Sequence, residues 1–237
     1  MFSALRDLDK RRLLVRTLPM VAGLLLLMAC AGWLVTGALA HVWPFAVEDG
    51  VDRTLAAHRD RTLNDVSWAL STLAGTAGAT LLTIAAIIGA RLYFGRWPES
   101  LFIATAMVIE LSVFLLVTLL VHRARPAVPE LDISPPTSSF PSGHTAAALA
   151  LYGTLALLIY RRTRRRYAWL LLLMPLAVGL ARLYRGMHYP SDVVAGLVLG
   201  ALSILIANYT VPIPCPVPDQ PAVPTIPRQM RRTRSHS

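Results

Sequence analysis

Cysteine is almost absent from this chain of 237 residues: Cys30 and Cys215 stand alone and far apart. Two such residues make neither a disulfide framework nor a thiolate metal cage. His, Asp and Glu do not gather in a metal-ligand pattern either, so no metal and no other cofactor is expected. Charge is scarce: Asp, Glu, Lys and Arg together make up 15% of the residues, against about a quarter in soluble domains. Acids are scarcest, 13 against 23 Lys and Arg, which leaves a formal charge of +10. No internal repeat is present, which excludes a solenoid or a propeller.

What the chain has instead is apolar length. It is 55% hydrophobic, and its mean hydropathy is +0.54. The apolar residues form six blocks: Leu18–Ala40, Val66–Ala90, Ser100–Val121, Thr145–Tyr160, Ala168–Leu183 and Val193–Val211. A membrane helix needs about 20 residues. The first three blocks and the sixth meet that alone; the fourth and fifth need the polar residues beside them. The expectation is an all-α bundle of six transmembrane helices over residues 18–211. A basic N-terminus at 1–17 precedes it, and a Pro- and Arg-rich tail at 212–237, read as disordered, follows. The first block has a basic lead and ends Ala38-Leu39-Ala40, as a secretory signal does. Its apolar core exceeds the about 7–15 residues of a signal, so it is expected to remain as a helix. Residues Val51–Asp65 mix apolar and charged side chains and read as a short interfacial helix.

The basic residues of alternate loops divide unequally. Sixteen lie in the two ends, around Arg91–Arg96 and in Arg161–Arg166; seven lie around Arg53–Arg61, Arg123–Arg125 and Arg182–Arg185. Cytoplasmic loops carry the Lys and Arg excess of membrane proteins. Both termini are therefore expected in the cytoplasm of a multi-pass plasma-membrane protein, with the Arg123 and Arg182 loops outside. The basic excess then needs no nucleic-acid partner.

The chemistry gathers next to the apolar blocks. Pro141-Ser142-Gly143-His144 reads as a capped helix start, whose free N–H groups attract anions. Gly143 lets an oxyanion approach the backbone, and His144 stands beside it. Arg182, His188 and Asp192 form the second group. A neutral imidazole is a nucleophile or base, and a carboxylate on its far nitrogen fixes the tautomer. Arginine matches phosphate oxygens with a planar fork. Asp192 also suits the start of the last helix. The loop from Arg123 to Gly143 holds Arg123 and Arg125, and five prolines stiffen it. Glu110, inside the third block, is a candidate intramembrane polar site because a carboxylate there is costly.

These residues, taken together, resemble the phosphatidic acid phosphatase type 2 family, whose wider fold includes the vanadium haloperoxidases. That family carries a lysine, six residues, then Arg-Pro; next Pro-Ser-Gly-His; then Ser-Arg, five residues, His, three residues, Asp. This chain supplies Arg125-Pro126, Pro141-Ser142-Gly143-His144, and Arg182, His188 and Asp192 at the same spacing. The likeness runs from about Val51 to Val211. It implies an extracytoplasmic active site without metal. It also implies that His188 attacks phosphorus, Asp192 orients His188, and His144 protonates the leaving oxygen. Arg125, Arg182, Ser142 and the Gly143 N–H would hold the phosphoryl oxygens, and water would cleave the phosphohistidine.

Two positions depart from the pattern. Thr118 stands at the lysine and Ala181 at the serine. Arg123 is expected to supply the missing cation, with Arg185 as the alternative. The implied substrate is a lipid phosphate or diphosphate in the membrane, of polyprenyl, phosphatidate or phosphatidylglycerophosphate type, with a bacterial cell membrane as the setting. The rival readings are a phosphotransferase using the same phosphohistidine and a silent binding protein.

Overall fold

The computed structural model describes residues 10–133, 137–211 and 213. The expected tail beyond Val211, with Cys215, lies outside these residues apart from Ile213, as do the first nine residues of the basic N-terminus. Among the described residues every regular element is helical. The α-helices are α1 (Lys10–Thr36), α2 (Glu48–Ala57), α3 (Arg61–Ala74), α4 (Thr76–Phe94), α5 (Trp97–Leu120), α6 (Gly143–Thr163), α7 (Leu173–Tyr184) and α8 (Pro190–Thr210). A 3₁₀ stretch, Arg166–Leu172, leads into α7. Among the described residues six helical segments are long and apolar enough to cross a membrane: Val15–Thr36, Thr76–Phe94, Trp97–Leu120, Gly143–Thr163, Arg166–Tyr184 and Pro190–Thr210.

The block Val66–Ala90 is not one helix. It breaks at Gly75, whose extended backbone (φ −67°, ψ 167°) ends α3 and begins α4. In α3, Ser67, Ser71 and Ala74 are buried while Leu63, Val66, Trp68 and Leu73 are exposed. Its polar face turns inward and its apolar face outward, as in a helix lying at a membrane surface. Only α4 then has the length and polarity of a span. A Cβ on Gly78 would stand 2.5 Å from the Thr72 and Leu73 carbonyl oxygens, so glycine is what lets the two helices meet with no linker. The interfacial stretch expected at Val51–Asp65 is likewise two pieces, α2 and the start of α3. Asp60 separates them and caps α3 by accepting from Leu63 N at 2.9 Å.

Helix α5 is the axis of the bundle, packed on α1, α4, α6 and α8. Phe102, Ile103, Ala106, Val113 and Val117 run down its buried side, and Leu24, Met28, Leu199 and Ala207 meet them. Helices α6 and α8 approach most closely. A Cβ on Gly196 would lie 2.5 Å from Ser142 O, and one on Gly200 would lie 2.7 Å from Ala146 O. Small residues four apart let membrane helices touch backbone to backbone. That contact sets the starts of α6 and α8, which carry the two motifs, side by side.

Candidate active site

The loop from Val121 to Ser142 joins α5 to α6, and residues 185–189 join α7 to α8. Both connections lie at one end of the bundle, where α2 and α3 pack against α7. The Val121–Ser142 loop is pinned by Ser139 N donating to Arg123 O (2.9 Å) and by Leu131 N donating to Arg185 O (3.1 Å).

His188 is buried, and its Nδ1 lies 2.7 Å from the carbonyl oxygen of Ser139. A carbonyl only accepts, so Nδ1 carries the proton and Nε2 is left with its lone pair. Asp192 was expected in that place. Its Oδ2 is 3.9 Å from Nδ1, beyond hydrogen-bond reach, and it acts on the ring through charge. Ser139 links the two, because its hydroxyl donates to Asp192 Oδ2 at 2.5 Å while its carbonyl holds His188. Burial pushes the His188 imidazole below its ordinary value; Asp192 raises it, and Arg182 and Arg125 lower it again. The ring is therefore neutral near pH 7, the state a nucleophile needs.

Asp192 is fully buried and spends its carboxylate locally. Oδ2 accepts from Tyr189 N at 2.9 Å, which closes the first turn of α8; Tyr189 rather than Asp192 takes the cap position. Oδ1 accepts from Arg123 Nη1 at 2.5 Å. Arg123 Nη1 also donates to Ser191 Oγ (2.7 Å), and Nη2 donates to Glu48 Oε2 (2.8 Å). The expectation that Arg123 joins Arg125 on a phosphate gives way to this arrangement: its guanidinium is committed to Asp192 and Glu48. Thr118 donates its hydroxyl to Leu115 O within its own helix at 2.9 Å, so nothing at the lysine position reaches the site.

Arg125 donates to Met187 O at 2.6 Å, and with Arg182 it is close enough to act on His188. Arg182 Nη1 donates to Ser71 Oγ and to Asp132 Oδ2, both at 2.6 Å. Arg185 donates to Asp132 Oδ1, Ser67 Oγ and Leu131 O, and so ties the loop to α3. Burial works against the charged form of Asp132. The bonds from Arg185 and Ser71 and the charges of both arginines outweigh it, and hold the carboxyl below the usual range. His144, in the first turn of α6, lies within electrostatic range of Arg182, His188, Asp132 and Arg125. Ser142 is buried; its N donates to Asp192 O at 2.9 Å, and its hydroxyl pairs with Thr145 Oγ1 at 2.9 Å. Gly143 packs on Phe114, which a Cβ would meet at 2.7 Å. Glu110 is buried in α5 and bonds to none of these residues.

Sequence reasoning gathered His144, His188, Asp192, Arg125 and Arg182 at one end of the bundle, and the structure brings them together. It missed Asp132, Glu48, Ser71 and the Ser139 carbonyl. Only Ser139 had a signal, its place just before Pro141-Ser142-Gly143-His144. Among the described residues no three His, Cys, Asp or Glu side chains converge on a point.

These features define a polytopic, all-helical membrane protein with a histidine–arginine site at one end of its bundle. Residues 99–213, the stretch that carries all three motifs, match the profile of the PAP2 superfamily. Over 75 residues it is 43% identical to the bacitracin transport permease protein BcrC of Bacillus licheniformis, a match covering 32% of this chain and 34% of that protein. Over 121 residues it is 35% identical to the decaprenylphosphoryl-5-phosphoribose phosphatase of Mycobacterium tuberculosis, covering 50% of this chain and 64% of that one. The chain thus spans less than two thirds of the length of either relative. The crystal structure of a transmembrane PAP2-type phosphatidylglycerolphosphate phosphatase from Bacillus subtilis superposes with a TM-score of 0.68 at 19% identity. The superposition covers 80% of this chain and 94% of that one, and it is a likeness of fold.

Proposed function

We propose that this chain is a membrane phosphatase that removes a phosphate from a lipid through a phosphohistidine on His188. The observation that carries the reading is the Ser139 carbonyl on His188 Nδ1, which leaves Nε2 as the only ring nitrogen able to attack. Arg125 and Arg182 draw in the phosphoryl group, and the Gly143 N–H at the start of α6 faces the same anion. Nε2 forms a bond to phosphorus as the bond from phosphorus to the lipid-side oxygen breaks. His144 gives that oxygen its proton. A water then attacks the phosphohistidine, His144 takes the proton back, and inorganic phosphate leaves with His188 neutral again. For a diphosphate the first leaving group is the lipid monophosphate. The arginines supply the positive charge, so no divalent metal enters.

The loop basic-residue asymmetry favours an extracytoplasmic site with both termini inside, in a bacterial cell membrane. A polyprenyl-linked phosphate or diphosphate is the favoured substrate, because the Mycobacterium tuberculosis relative is named for a decaprenyl one. Purified protein should release inorganic phosphate from such a lipid without an added acceptor, and excess EDTA should leave the rate within about twofold, since no metal-ligand cluster forms among the described residues. His188→Ala should abolish release while the protein still folds in detergent, and quenched wild-type reactions should hold acid-labile phosphate. Full activity in that variant sinks the assignment. Release only when an acceptor lipid is present makes the chain a phosphotransferase.

A further inference from the structure

We propose that Glu48 is a positioning residue of this site: Glu48 and Asp52 form an acidic wall on α2 that acts through Arg123 to keep Asp192 effective on His188. The inference rests on the phosphatase reading and goes past the matched segment, because α2 lies before residue 99.

Asp192 faces His188 with one oxygen and Arg123 with the other. A guanidinium bonded to a carboxylate cancels most of its field at a distance, so Arg123 alone would leave His188 beside a neutral pair. Glu48 alters that balance. It is buried; its Oε2 accepts from Arg123 Nη2 (2.8 Å) and Ser191 Oγ (2.9 Å), and its Oε1 accepts from Ser191 N (2.7 Å). One cation is thereby shared by two carboxylates, and the cluster keeps a net negative charge behind the imidazole. The Tyr189 ring lies 4.3 Å from the Arg123 guanidinium and covers it, which keeps water out and the interaction strong. A negative charge behind His188 raises its basicity. Burial and the two arginines, Arg182 and Arg125, push the other way.

Asp52 lies one turn along α2. It is 1% exposed, and neither of its carboxylate oxygens has a hydrogen-bond partner. A buried carboxylate without partners is rare and costly. The groups that face it are Glu48 and Asp49 on its own helix, Asp192 and the Tyr189 hydroxyl at the start of α8, and Arg123 from the loop. Burial first, then Glu48, Asp192 and Asp49, push its carboxyl up to about 7, against a smaller pull from Arg123. Asp52 is thus neutral in acid and charged in mild alkali, where it adds a second negative charge to the wall.

The test uses a short-chain, water-soluble lipid phosphate and the full-length protein. Glu48→Gln should lower kcat about tenfold, the scale of losing an outer partner that orients a reacting group. KM should stay within about twofold, because Glu48 does not touch the phosphate cradle. The acid limb of the kcat/KM profile should move to lower pH by about half a unit or more, as His188 loses a nearby negative charge. Glu48→Asp, which keeps the charge, should hold the limb at its wild-type position. A lower kcat with an unmoved limb makes Glu48 a structural contact only and overturns the proposal. Asp52→Asn removes charge without breaking a hydrogen bond, so it serves even where Glu48→Gln fails to fold. Its deficit should grow from below pH 6 to above pH 8, and a deficit constant across that range counts against the wall. Titration of His188 by NMR in histidine-labelled protein must show the same acidward shift in Glu48→Gln, and it needs no turnover. An inactive wild type therefore overturns the phosphatase reading, while an unshifted His188 overturns this one.

Discussion

Two arginines, Arg182 and Arg185, face an acid of their own chain before any substrate arrives. Asp132 takes Arg182 at 2.6 Å and Arg185 at 2.9 Å, the kind of donors a phosphoryl group needs. A substrate phosphate has to share those donors or displace the carboxylate. The Asp132 side chain is 20% exposed, and a partly exposed ion pair is worth on the order of 1 kcal/mol. Asp132→Asn should therefore lower KM for a lipid phosphate about fivefold and strengthen inhibition by inorganic phosphate to match. A raised KM with a lower kcat would mean that Asp132 holds Arg182 in shape instead. At this scale the sequence revealed the reacting groups and hid their partners. His144, His188 and Asp192 stand in short fixed spacings next to apolar blocks, so their convergence is legible. Asp132 and Glu48 lie outside every motif and beside other acids, Glu130 and Asp49, and no spacing singles them out. The group on His188 Nδ1 is a main-chain carbonyl, which no side-chain identity reports. Arg123 was misjudged because its nearness in sequence to Arg125 says nothing of which way a guanidinium turns.

Among the elements, the contact between α6 and α8 is the tightest constraint on the site. Ser142 N donates to Asp192 O across it, and Gly196 sits 2.5 Å, Cβ position to oxygen, from Ser142 O. Gly196→Leu must push the helices apart, and overpacking of this kind costs about 1–3 kcal/mol. The variant should melt several degrees lower in detergent and release phosphate much more slowly. A variant with normal melting and normal turnover removes this contact from the account. Five of the six apolar blocks keep their order but not their ends: α6 and α8 begin on the motif residues before their apolar cores, α1 stops at Thr36, and a 3₁₀ stretch takes the start of the fifth block. The block from Val66 failed for a different reason. Counting apolar residues does not ask which face they occupy. Ser67, Ser71 and Ala74, at helical spacing just before Gly75, carried the inward face of α3, and that stripe was the available signal.

For the whole molecule, the placement of charge gives a direct test of orientation. With Cys30 and Cys215 replaced by serine, Pro129→Cys should react with a membrane-impermeant thiol reagent in intact cells. Thr163→Cys, at the far end of α6, should not. The reverse pattern puts the site in the cytoplasm. Arg123, Arg182 and Arg185 all lie within residues 99–213, yet Glu48, Ser67 and Ser71, which hold them, come earlier in the chain. The stretch that carries every motif is therefore not a module that can be lifted out. Grafted alone onto another scaffold, it would bring its buried cations and leave part of their anchorage behind. A working transplant has to carry α2 and α3 along with it.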